Sequence, residues 1–359
     1  MKTLVTKELV DAASLGGAVL GGGGGGSRET GRRLGYLAAE LGRTWLVDAT
    51  DLSDDTWVLM VSAVGAPAAK GRHAEPMYYV RAAQLIEQAT GISTGGIITN
   101  EAGGLATVNG WLQAALMGLP VVDAPGNGRA HPASIMGAMG LERDKGYESV
   151  QAAIGGDREA GTYVELVVKG DLSRCSNMVR QAAVQAGGLV AVARNPVTIG
   201  YAKKNAAVGA VRQAIALGQA MLQAAARGPQ DVLEAAAGTL GGTIFAAGRV
   251  TRVDLTTTGG FDVGKVTIEA DDTVTLDFWN EYMTLEKGGV RHGTFPDLIA
   301  TMDARTGYPL TSAEIAAGQE VAVLHVPRER LLLGASMHNQ ALFATVEQAI
   351  GKEIVKYLA

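Results

Sequence analysis

The first third of the chain alternates short apolar segments with longer segments in which apolar residues recur at helical spacing. Four apolar segments are bounded by turn residues and are predicted to be strands: Thr44–Asp48, Trp57–Val61, Gly96–Thr99 and Leu119–Asp123. Helical patterns lie beside them over Leu9–Leu15, Arg28–Leu41, Met77–Thr90 and Val108–Met117. Strands that alternate with helices of about ten to fifteen residues are typical of βαβ units. The sequence therefore predicts an α/β domain with a mainly parallel sheet flanked by helices.

The second half of the chain has a different pattern. Helices are predicted over Ser176–Ala186 and in a long segment capped by Asn205, with a strand at Leu189–Val192 between them. In the last third, apolar and polar residues alternate, and Asp271-Asp272 is predicted to turn a hairpin. Val321–Val326 is the last predicted strand. This pattern indicates a helical and antiparallel β-rich unit.

The length of the chain also favours two domains. A chain of 359 residues is long for one ordinary core. Because the pattern changes near residue 170, we predict an N-terminal α/β domain over residues 1–170 and a C-terminal α+β domain over residues 171–359.

Composition and charge exclude several classes of protein. Hydrophobic residues make up 47% and charged residues 19% of the chain, as expected for a well-buried globular protein. The formal net charge of −5 argues against a nucleic-acid partner or an anionic membrane surface, because both require a basic footprint. No apolar run approaches the ~18 residues that a membrane span needs. Cys175 is the single cysteine, so no internal disulfide can form and a cytoplasmic location is expected.

Six consecutive glycines, Gly21–Gly26, are the most unusual local feature. They precede Ser27, the predicted N-cap of the helix at Arg28, and a glycine loop before a helix presents free amides to an anion. The candidate substrate-binding residues of this loop, which would hold a carboxylate or an oxyanion, are Gly23, Gly24, Gly25 and Gly26. Two alternatives stay open: a structural turn, and a dinucleotide site in which Asp48 binds the ribose.

Two acidic residues follow predicted parallel strands. Glu101 comes soon after Gly96–Thr99, and Asp123 ends Leu119–Asp123. Ligands in such sheets lie outside the carboxyl ends of the strands, so we expect the two carboxylates in one cleft. Glu101 and Asp123 are the candidate catalytic pair, with one acting as the base and the other as the acid. The alternative is structural: Glu101 caps the following helix and Asp123 ties down its own loop.

Other polar and glycine residues are expected at the same edge of the sheet. The candidate substrate-binding residues in these loops are Gly65, Asn100, Asn127 and Arg129. The guanidinium of Arg129 is suited to a bidentate contact with a carboxylate, and an ion pair within the protein is the alternative. Asn280, directly after the predicted strand Thr273–Trp279, is a further candidate. Since side chains alternate along a strand, we expect Asn280 and Glu281 on opposite faces, with at most one at a shared site.

The sequence predicts neither a metal nor a cofactor. The five histidines lack ligand spacing such as H-E-x-x-H, and one cysteine cannot form a thiolate cluster. No G-x-S-x-G motif is present, so a serine hydrolase triad has no support.

Five stretches resemble, in order and spacing, the S-methyl-thiohydantoin desulfurase-like family. They are Ala18–Gly26, Gly65-Ala66-Pro67, Asn100–Gly104, Leu119–Ala130, and a group formed by Gly260-Phe261, Gly264, Asn280-Glu281, Pro296–Ile299 and Thr306-Gly307. Together they span most of residues 15–310, and their joint occurrence is far more specific than any one of them. The chain departs from the family at His131, where relatives have an aromatic residue, and at Ala133-Ser134, which replaces an acidic residue.

The resemblance implies hydrolytic removal of sulfur from a thiohydantoin-like ring. Water would attack the sulfur-bearing ring carbon, activated by Glu101 or Asp123, while the glycine loop and Arg129 hold the substrate. Family members resemble partners of hydantoinase- and oxoprolinase-type enzymes, so a homo-oligomer and a hydantoinase-like partner protein are expected beside the small-molecule substrate. Two alternative functions remain: a non-catalytic subunit of such an assembly, and a nucleotide-binding oxidoreductase that uses the glycine run and Asp48.

Overall fold

The computed structural model describes residues 2–66 and 68–358. Pro67, which belongs to the predicted motif Gly65-Ala66-Pro67, lies outside the described residues. Two eight-stranded sheets with helices around them make up a two-domain α/β structure. Within the described ranges, no helix has the length and apolar character needed to cross a bilayer.

The first sheet contains the parallel strands that the sequence predicts. Its strands are β1 Thr3–Leu4, β2 Trp45–Asp48, β3 Trp57–Gly65, β4 Gly96–Thr99, β5 Val121–Asp123, β6 Ser149–Gly155, β7 Val164–Gly170 and β8 Leu189–Thr198. They lie in the order β1-β2-β5-β4-β3-β8-β6-β7. Strands β2, β5, β4 and β3 pair in parallel, and the other pairs are antiparallel. The prediction of a mainly parallel sheet is therefore wrong, and the sheet is mixed.

The physical reason is the second half of this sheet. β6 and β7 form a hairpin, which is antiparallel by construction, and β8 pairs antiparallel with both β3 and β6. Strand β8 lies beyond residue 170, so the first sheet takes residues from both sides of the predicted domain boundary. That boundary stays a prediction.

The described residues form nine α-helices. They are α1 Lys7–Leu20, α2 Arg28–Leu41, α3 Pro76–Thr90, α4 Trp111–Met117, α5 Leu172–Gln185, α6 Ile199–Asn205, α7 Ala210–Ala224, α8 Pro229–Leu240 and α9 Ala344–Ile350. Ser27 caps α2 as predicted, and its Oγ accepts a hydrogen bond from the Thr30 amide at 3.2 Å. Gly91 ends α3 in the left-handed conformation, with φ of 70°.

Two predicted helix boundaries are wrong. Helix α1 continues through Ala18–Leu20, so the glycine run begins at the end of a helix and does not follow a strand. The long predicted helix is divided: Asn205 ends α6, and α7 starts after Gly209, whose φ is 91°. A glycine with positive φ permits the sharp change of direction between these two helices.

The second sheet is antiparallel throughout. Its strands are β9 Thr243–Thr258, β10 Phe261–Glu269, β11 Thr273–Trp279, β12 Glu281–Lys287, β13 Val290–Thr294, β14 Leu298–Asp303, β15 Pro309–Leu310 and β16 Glu320–Val326. The predicted hairpin is confirmed, since Glu269 pairs with Thr273 across the turn at Asp271-Asp272. The predicted helical character of this domain is not confirmed: α5 packs on β6 and α7 packs on α1.

Helices α1 and α7 contact each other through their backbones. A Cβ atom added to Gly218 of α7 would lie 1.9 Å from the carbonyl oxygen of Ala12, and one added to Gly16 of α1 would lie 1.9 Å from that of Ala214. These separations are far below contact distance, so both positions require glycine. This contact joins the helix that leads into the glycine run to the second half of the chain.

We predict that Gly218→Ala destabilises the protein by about 1–3 kcal/mol, because the methyl group forces the two helices apart in a packed region. Gly238→Ala is the matched control. It places the same methyl group in α8, where a Cβ has nothing within 4 Å. There the change should be neutral or stabilising by up to ~1 kcal/mol through helix propensity. Denaturant unfolding of both variants tests this, and equal stabilities would contradict the close helix contact.

Candidate active site

A cavity lies between the carboxyl ends of β3 and β4 and the turn that joins β11 to β12. Its lining includes Ser62 and Gly65 of β3, Thr99, Asn100 and Glu101 at the end of β4, Gly25 and Gly26 of the glycine run, and Asn280 and Glu281 of the turn. The centres of water-sized atoms can occupy about 120 Å³ of it. One water needs about 10–15 Å³ by this measure, so a molecule with on the order of ten non-hydrogen atoms fits.

Glu101 enters the cavity from the first sheet. Parallel pairing of Val61 with Thr99 brings the ends of β3 and β4 together and places Glu101 just beyond them. Its side chain is 14% exposed, and Oε2 accepts a hydrogen bond from the backbone amide of His131 at 3.1 Å. Burial raises the pKa of Glu101 to about 7, opposed by this hydrogen bond and by the positive charge of Arg194. The carboxyl therefore changes its charge near neutral pH.

Glu281 enters from the second sheet and is 2% exposed. The preceding residue, Asn280, forms a tight turn with φ of 56°, and Trp279 pairs with Glu281 across it. This turn breaks the alternation of side chains, so Asn280 and Glu281 both line the cavity. The prediction that at most one of them faces the site is wrong for this reason.

The two glutamates influence each other. Burial, reinforced by the negative charge of Glu101, raises the pKa of Glu281 well above its usual range. Oε2 of Glu281 is buried and has no hydrogen-bond partner in the part of the chain that the structure describes. Burial thus favours the neutral, acid form of Glu281, while the pKa of Glu101 lies at about 7. Two carboxyl groups with separated pKa values are suited to act as an acid and a base in one reaction.

The glycine run connects the two sheets at this cavity. The Gly22 carbonyl accepts a hydrogen bond from the Tyr282 amide at 2.8 Å, and the Gly25 carbonyl accepts one from the Leu105 amide at 3.1 Å. Gly25 has φ of 70° and packs directly on Gly103, where an added Cβ would lie 2.4 Å from the Gly25 Cα. The run thus permits close approach of its backbone to loops from both sheets.

Gly24 has a more local role. Its amide donates to the Gly21 carbonyl at 3.0 Å, so it is used within the run and not for an anion. A Cβ added to Gly24 would lie 1.8 Å from Oε1 of Glu281. The absence of a side chain at Gly24 therefore creates the space that the Glu281 carboxyl occupies.

Two arginines from the second half of the chain also line the cavity. Arg180 of α5 donates to the carbonyls of Gly65, Gly260 and Pro132 and so holds three loops together. Arg194 of β8 is 1% exposed and donates to Ser62. Burial lowers the pKa of Arg180 to about 10 and that of Arg194 to about 9, and both remain cationic at neutral pH.

His131 also contributes to the cavity wall. Its Nε2 lies 3.3 Å from Asn100 Nδ2 and 3.4 Å from Glu101 Oε2. Burial lowers the pKa of His131 to about 3, so the ring is neutral at physiological pH. Ser134 lines the same wall. Both positions at which the sequence departs from the family therefore lie at the cavity.

The structure does not bring Asp123 to the cavity that Glu101 lines. The Asp123 carboxylate accepts hydrogen bonds from the amides of Val211 at 2.8 Å and Arg212 at 3.2 Å, in the first turn of α7. Arg212 also contacts Asp123 Oδ2 at 3.6 Å and Asp48 Oδ1 at 2.7 Å. Burial raises the pKa of Asp123 to about 6. Asp123 therefore has a structural role, but it anchors the start of α7 and not its own loop as the structural alternative had it.

The interpretation of Asp48 as a ribose-binding residue is also corrected. Asp48 pairs with Asp123 in register across β2 and β5, and Arg212 bridges the two. The glycine run follows a helix, whereas the dinucleotide fingerprint requires a strand before it. The nucleotide-binding oxidoreductase has no support from this geometry.

Asn127 and Arg129 lie behind the site. Asn127 donates to the Arg129 carbonyl and accepts from the Gly334 amide, which fixes the loop. Arg129 donates to the carbonyls of Ala130, Pro296 and Asp297, and its guanidinium stacks on Phe295. Arg129 is not in the cavity lining, but its charge opposes the rise in the pKa of Glu281.

The candidate residues that line the cavity are Gly25, Gly26, Gly65, Asn100, Glu101 and Asn280, whereas Gly23, Gly24, Asp123, Asn127 and Arg129 do not. Sequence reasoning missed Glu281 as a partner of Glu101, and it missed Arg180 and Arg194. A signal existed for Arg194, because a charged residue that continues the apolar strand Leu189–Val192 has to be buried with it. Arg180 is one of several charged residues on a helix, and nothing in the sequence distinguishes it.

Among residues 2–66 and 68–358, no group of three or more His, Cys, Asp or Glu side chains is arranged to hold a metal ion. The residues around the cavity are suited to binding an organic molecule through hydrogen bonds and charge.

One solved structure resembles this protein over nearly its whole length. The crystal structure of a protein from Chromobacterium violaceum superposes with a TM-score of 0.70 at 22% sequence identity, and the match covers 96% of each chain. At this identity the likeness shows the fold alone. No curated protein matches the sequence.

Two family matches cover most of the chain. Residues 8–161 match the S-Me-THD-like N-terminal domain, and residues 170–336 match the S-Me-THD-like C-terminal domain. The second sheet, the glycine run and both cavity glutamates fall within these ranges. The chain belongs to the S-Me-THD-like family, which is the thiohydantoin-related family that its motifs resemble.

Proposed function

We propose that this protein hydrolyses the carbon–sulfur bond of an S-alkyl-thiohydantoin-like ring, with Glu101 as the general base and Glu281 as the general acid. The observation that carries the proposal is that two buried carboxyl groups, one from each sheet, line a single cavity. Family membership supports the choice of a thiohydantoin-related substrate. The size of the cavity suits one five-membered ring with its substituents.

The roles follow from the different surroundings of the two carboxyls. Glu101 accepts a hydrogen bond from the His131 amide and lies near Arg194, which favour its ionised form. Among the described residues, none donates a hydrogen bond to Oε2 of Glu281, and the negative charge of Glu101 lies close by. Both features favour the protonated form of Glu281. The ionised group takes a proton and the protonated group gives one, which are the tasks of a base and an acid.

In the proposed reaction, the oxygen of a water molecule bonds to the ring carbon that bears sulfur, and Glu101 takes the proton of that water. The electron pair of the C=N bond moves onto the ring nitrogen, which is stabilised by the positive charge around the cavity. The nitrogen electron pair then re-forms the C=N bond as the carbon–sulfur bond breaks, and Glu281 protonates the departing thiolate. The proton that remains on the new oxygen moves to the ring nitrogen, which gives the C=O and N–H groups of a hydantoin. The products are a thiol and a hydantoin, and both carboxyls return to their initial states when Glu101 passes its proton to solvent and Glu281 regains one.

The other predicted roles stay predictions. They are assembly with a hydantoinase-like partner protein, homo-oligomerisation and a cytoplasmic location. If the folded protein releases no thiol from S-methyl-thiohydantoin, the non-catalytic subunit becomes the better interpretation of the chain.

We predict that Glu101→Gln and Glu281→Gln each lower kcat/KM for thiol release by about 10²–10⁴-fold, because a glutamine neither takes nor gives a proton. Thermal stability should stay equal or rise, since each change removes an ionisable group from a buried site. Asp123→Asn is the comparison variant: it neutralises a buried carboxylate outside the cavity. It should lower stability by roughly 1–3 kcal/mol through the lost charge on α7 and Arg212, with little effect on kcat. Thiol release with a chromogenic thiol reagent, together with thermal melts, checks all three variants.

The pH dependence of kcat/KM should identify Glu101 as the base. Because burial raises the pKa of Glu101 to about 7, its active ionised fraction increases as the pH rises towards 7 and above. We expect kcat/KM to increase about tenfold per pH unit on the acidic side and to level off above about pH 7. Loss of this rise in the residual activity of Glu101→Gln would confirm the assignment, and a wild-type rate that is flat from pH 5 to 7 would contradict it.

Gly24→Ala should act through Glu281. The added Cβ would lie 1.8 Å from Oε1, so the carboxyl must move, and we predict a loss in kcat/KM on the order of 10²-fold. In a Glu281→Ala background the same change meets no carboxyl and should cost little further activity. A double-mutant cycle measures this dependence. Equal losses in both backgrounds would show that Gly24 acts independently of Glu281.

A further inference from the structure

Arg194 has hydrogen-bond donors that the described part of the protein does not use. The side chain lines the cavity and is 1% exposed. Nη2 donates to Ser62 Oγ, whereas Nε and Nη1 are buried and have no hydrogen-bond partner among residues 2–66 and 68–358. Unpaired donors on a buried cation are costly, and an acceptor that enters the cavity would satisfy them.

Arg180 provides the contrast. Its guanidinium donates to three backbone carbonyls and stacks on Phe261, with its centre 3.9 Å from the ring centroid. These contacts explain Arg180 as a residue that holds the cavity walls. Arg194, by contrast, donates to the hydroxyl of Ser62, and its Nε and Nη1 have no partner among the described residues. These two donors are therefore available to a ligand.

The charges around the cavity favour a negative ligand. Arg72, Arg180 and Arg194 are the positive residues of the lining, and Glu101 and Glu281 are the negative ones. Three guanidinium groups thus face two carboxyls, and burial raises the pKa of Glu281, which disfavours its charged form. Positive charge therefore exceeds negative charge, and an anion that enters the cavity reduces the imbalance.

The position of Arg194 limits where that anion lies. Strands β8, β3 and β4 are consecutive neighbours in the first sheet, and Arg194 is on β8 while Glu101 follows β4. Neighbouring strands are about 4.8 Å apart, so β8 and β4 are separated by roughly 10 Å across the sheet, and the register places Arg194 level with Ile98, three residues before Glu101. Both side chains extend into the cavity between them. A ring at Glu101 and Glu281 therefore reaches Arg194 through a short substituent.

We propose that the substrate is anionic: a five-membered thiohydantoin-type ring whose side chain ends in a carboxylate, bound by Arg194 beside Ser62. This inference rests on the proposed function for the identity of the ring. The carboxylate is held at a distance from the reacting carbon, so Arg194 is a residue that selects the substrate and orients the ring. A neutral amide of the same size offers Arg194 one acceptor oxygen and no negative charge, whereas a carboxylate offers two oxygens and a full charge, which is a basis for discrimination.

Binding of two product-type ligands tests the proposal without requiring turnover. Hydantoin-5-acetate carries the carboxylate, and hydantoin-5-acetamide is a neutral ligand of almost the same shape. We expect the wild-type protein to bind the acetate at least about tenfold more tightly by calorimetry, since charge-assisted hydrogen bonds to arginine are strong ones. Equal affinity for the two ligands, or preference for the amide, would overturn the proposal.

Variants then assign the preference to Arg194. Arg194→Gln should abolish the preference and leave the affinity for the amide within a few-fold of wild type. Arg305→Gln is the matched control, because Arg305 is 80% exposed and outside the cavity lining, and it should keep the full preference. Arg194→Lys covers the case in which the glutamine variant does not fold: it should keep a weaker preference, since lysine retains the charge but not the planar fork. An unchanged preference in Arg194→Gln, or an undiminished one in Arg194→Lys, would overturn the assignment.

Thiol release from the S-methyl derivatives of the same two compounds separates this inference from the proposed reaction. Preference for the acetate in binding without any thiol release would support the anionic ligand while contradicting hydrolysis. Equal turnover of both derivatives, together with equal binding, would support hydrolysis while contradicting the role of Arg194.

Discussion

The close approach of the glycine run to loops from both sheets is the interaction on which the site depends. Gly25 packs against Gly103 beside Glu101, and Gly24 makes room for the carboxyl of Glu281. Carbonyls of the run accept hydrogen bonds from Tyr282 and Leu105, one in each half of the site. Side chains at these glycines would hold the two sheets further apart and separate the glutamates. The run thus acts through close backbone packing, in addition to any contact that Gly25 and Gly26 make with substrate.

The electrostatics of the cavity follow from this packing. Burial away from water raises the pKa of both carboxyls, and the negative charge of Glu101 adds to the rise for Glu281. The guanidinium groups of Arg180 and Arg194 partly offset the negative charge of the two glutamates. Hydrogen bonds to the carbonyls of three loops keep Arg180 in place. Such a buried cluster is poorly suited to stabilising the fold, because desolvation opposes each charge. The charged side chains of this cluster come from both sheets and line one cavity, and chemistry on a bound molecule explains that arrangement better.

Local sequence patterns were sufficient for much of the fold. Ser27 caps α2, Gly91 ends α3 and the Asp271-Asp272 turn closes its hairpin, because each of these depends on residues only a few positions apart. The parallel strands β2 to β5 could also be predicted, and with them the place of Glu101 at a strand end. The antiparallel half of the first sheet could not, because the pairing of β8 with β3 and β6 joins segments distant in sequence. The same limit applies to Asp123: its position at a strand end was predictable, but its contact with the first turn of α7 was not.

The sequence by itself therefore determined helices α1 to α5, strands β2 to β5, the two-domain α/β class and the family, together with one of the two cavity glutamates as a site residue. Only the tertiary structure decided which charged groups meet. Glu281 joins Glu101 because the positive φ of Asn280 breaks the alternation along the strand, and Arg194 joins them because β8 crosses into the first sheet. Alternation and helical spacing depend on neighbouring residues, whereas a cavity shared by two sheets depends on contacts between residues far apart in the sequence. Those contacts, which include Gly22 with Tyr282 at 260 positions apart (282 − 22), follow from packing, which no local pattern encodes.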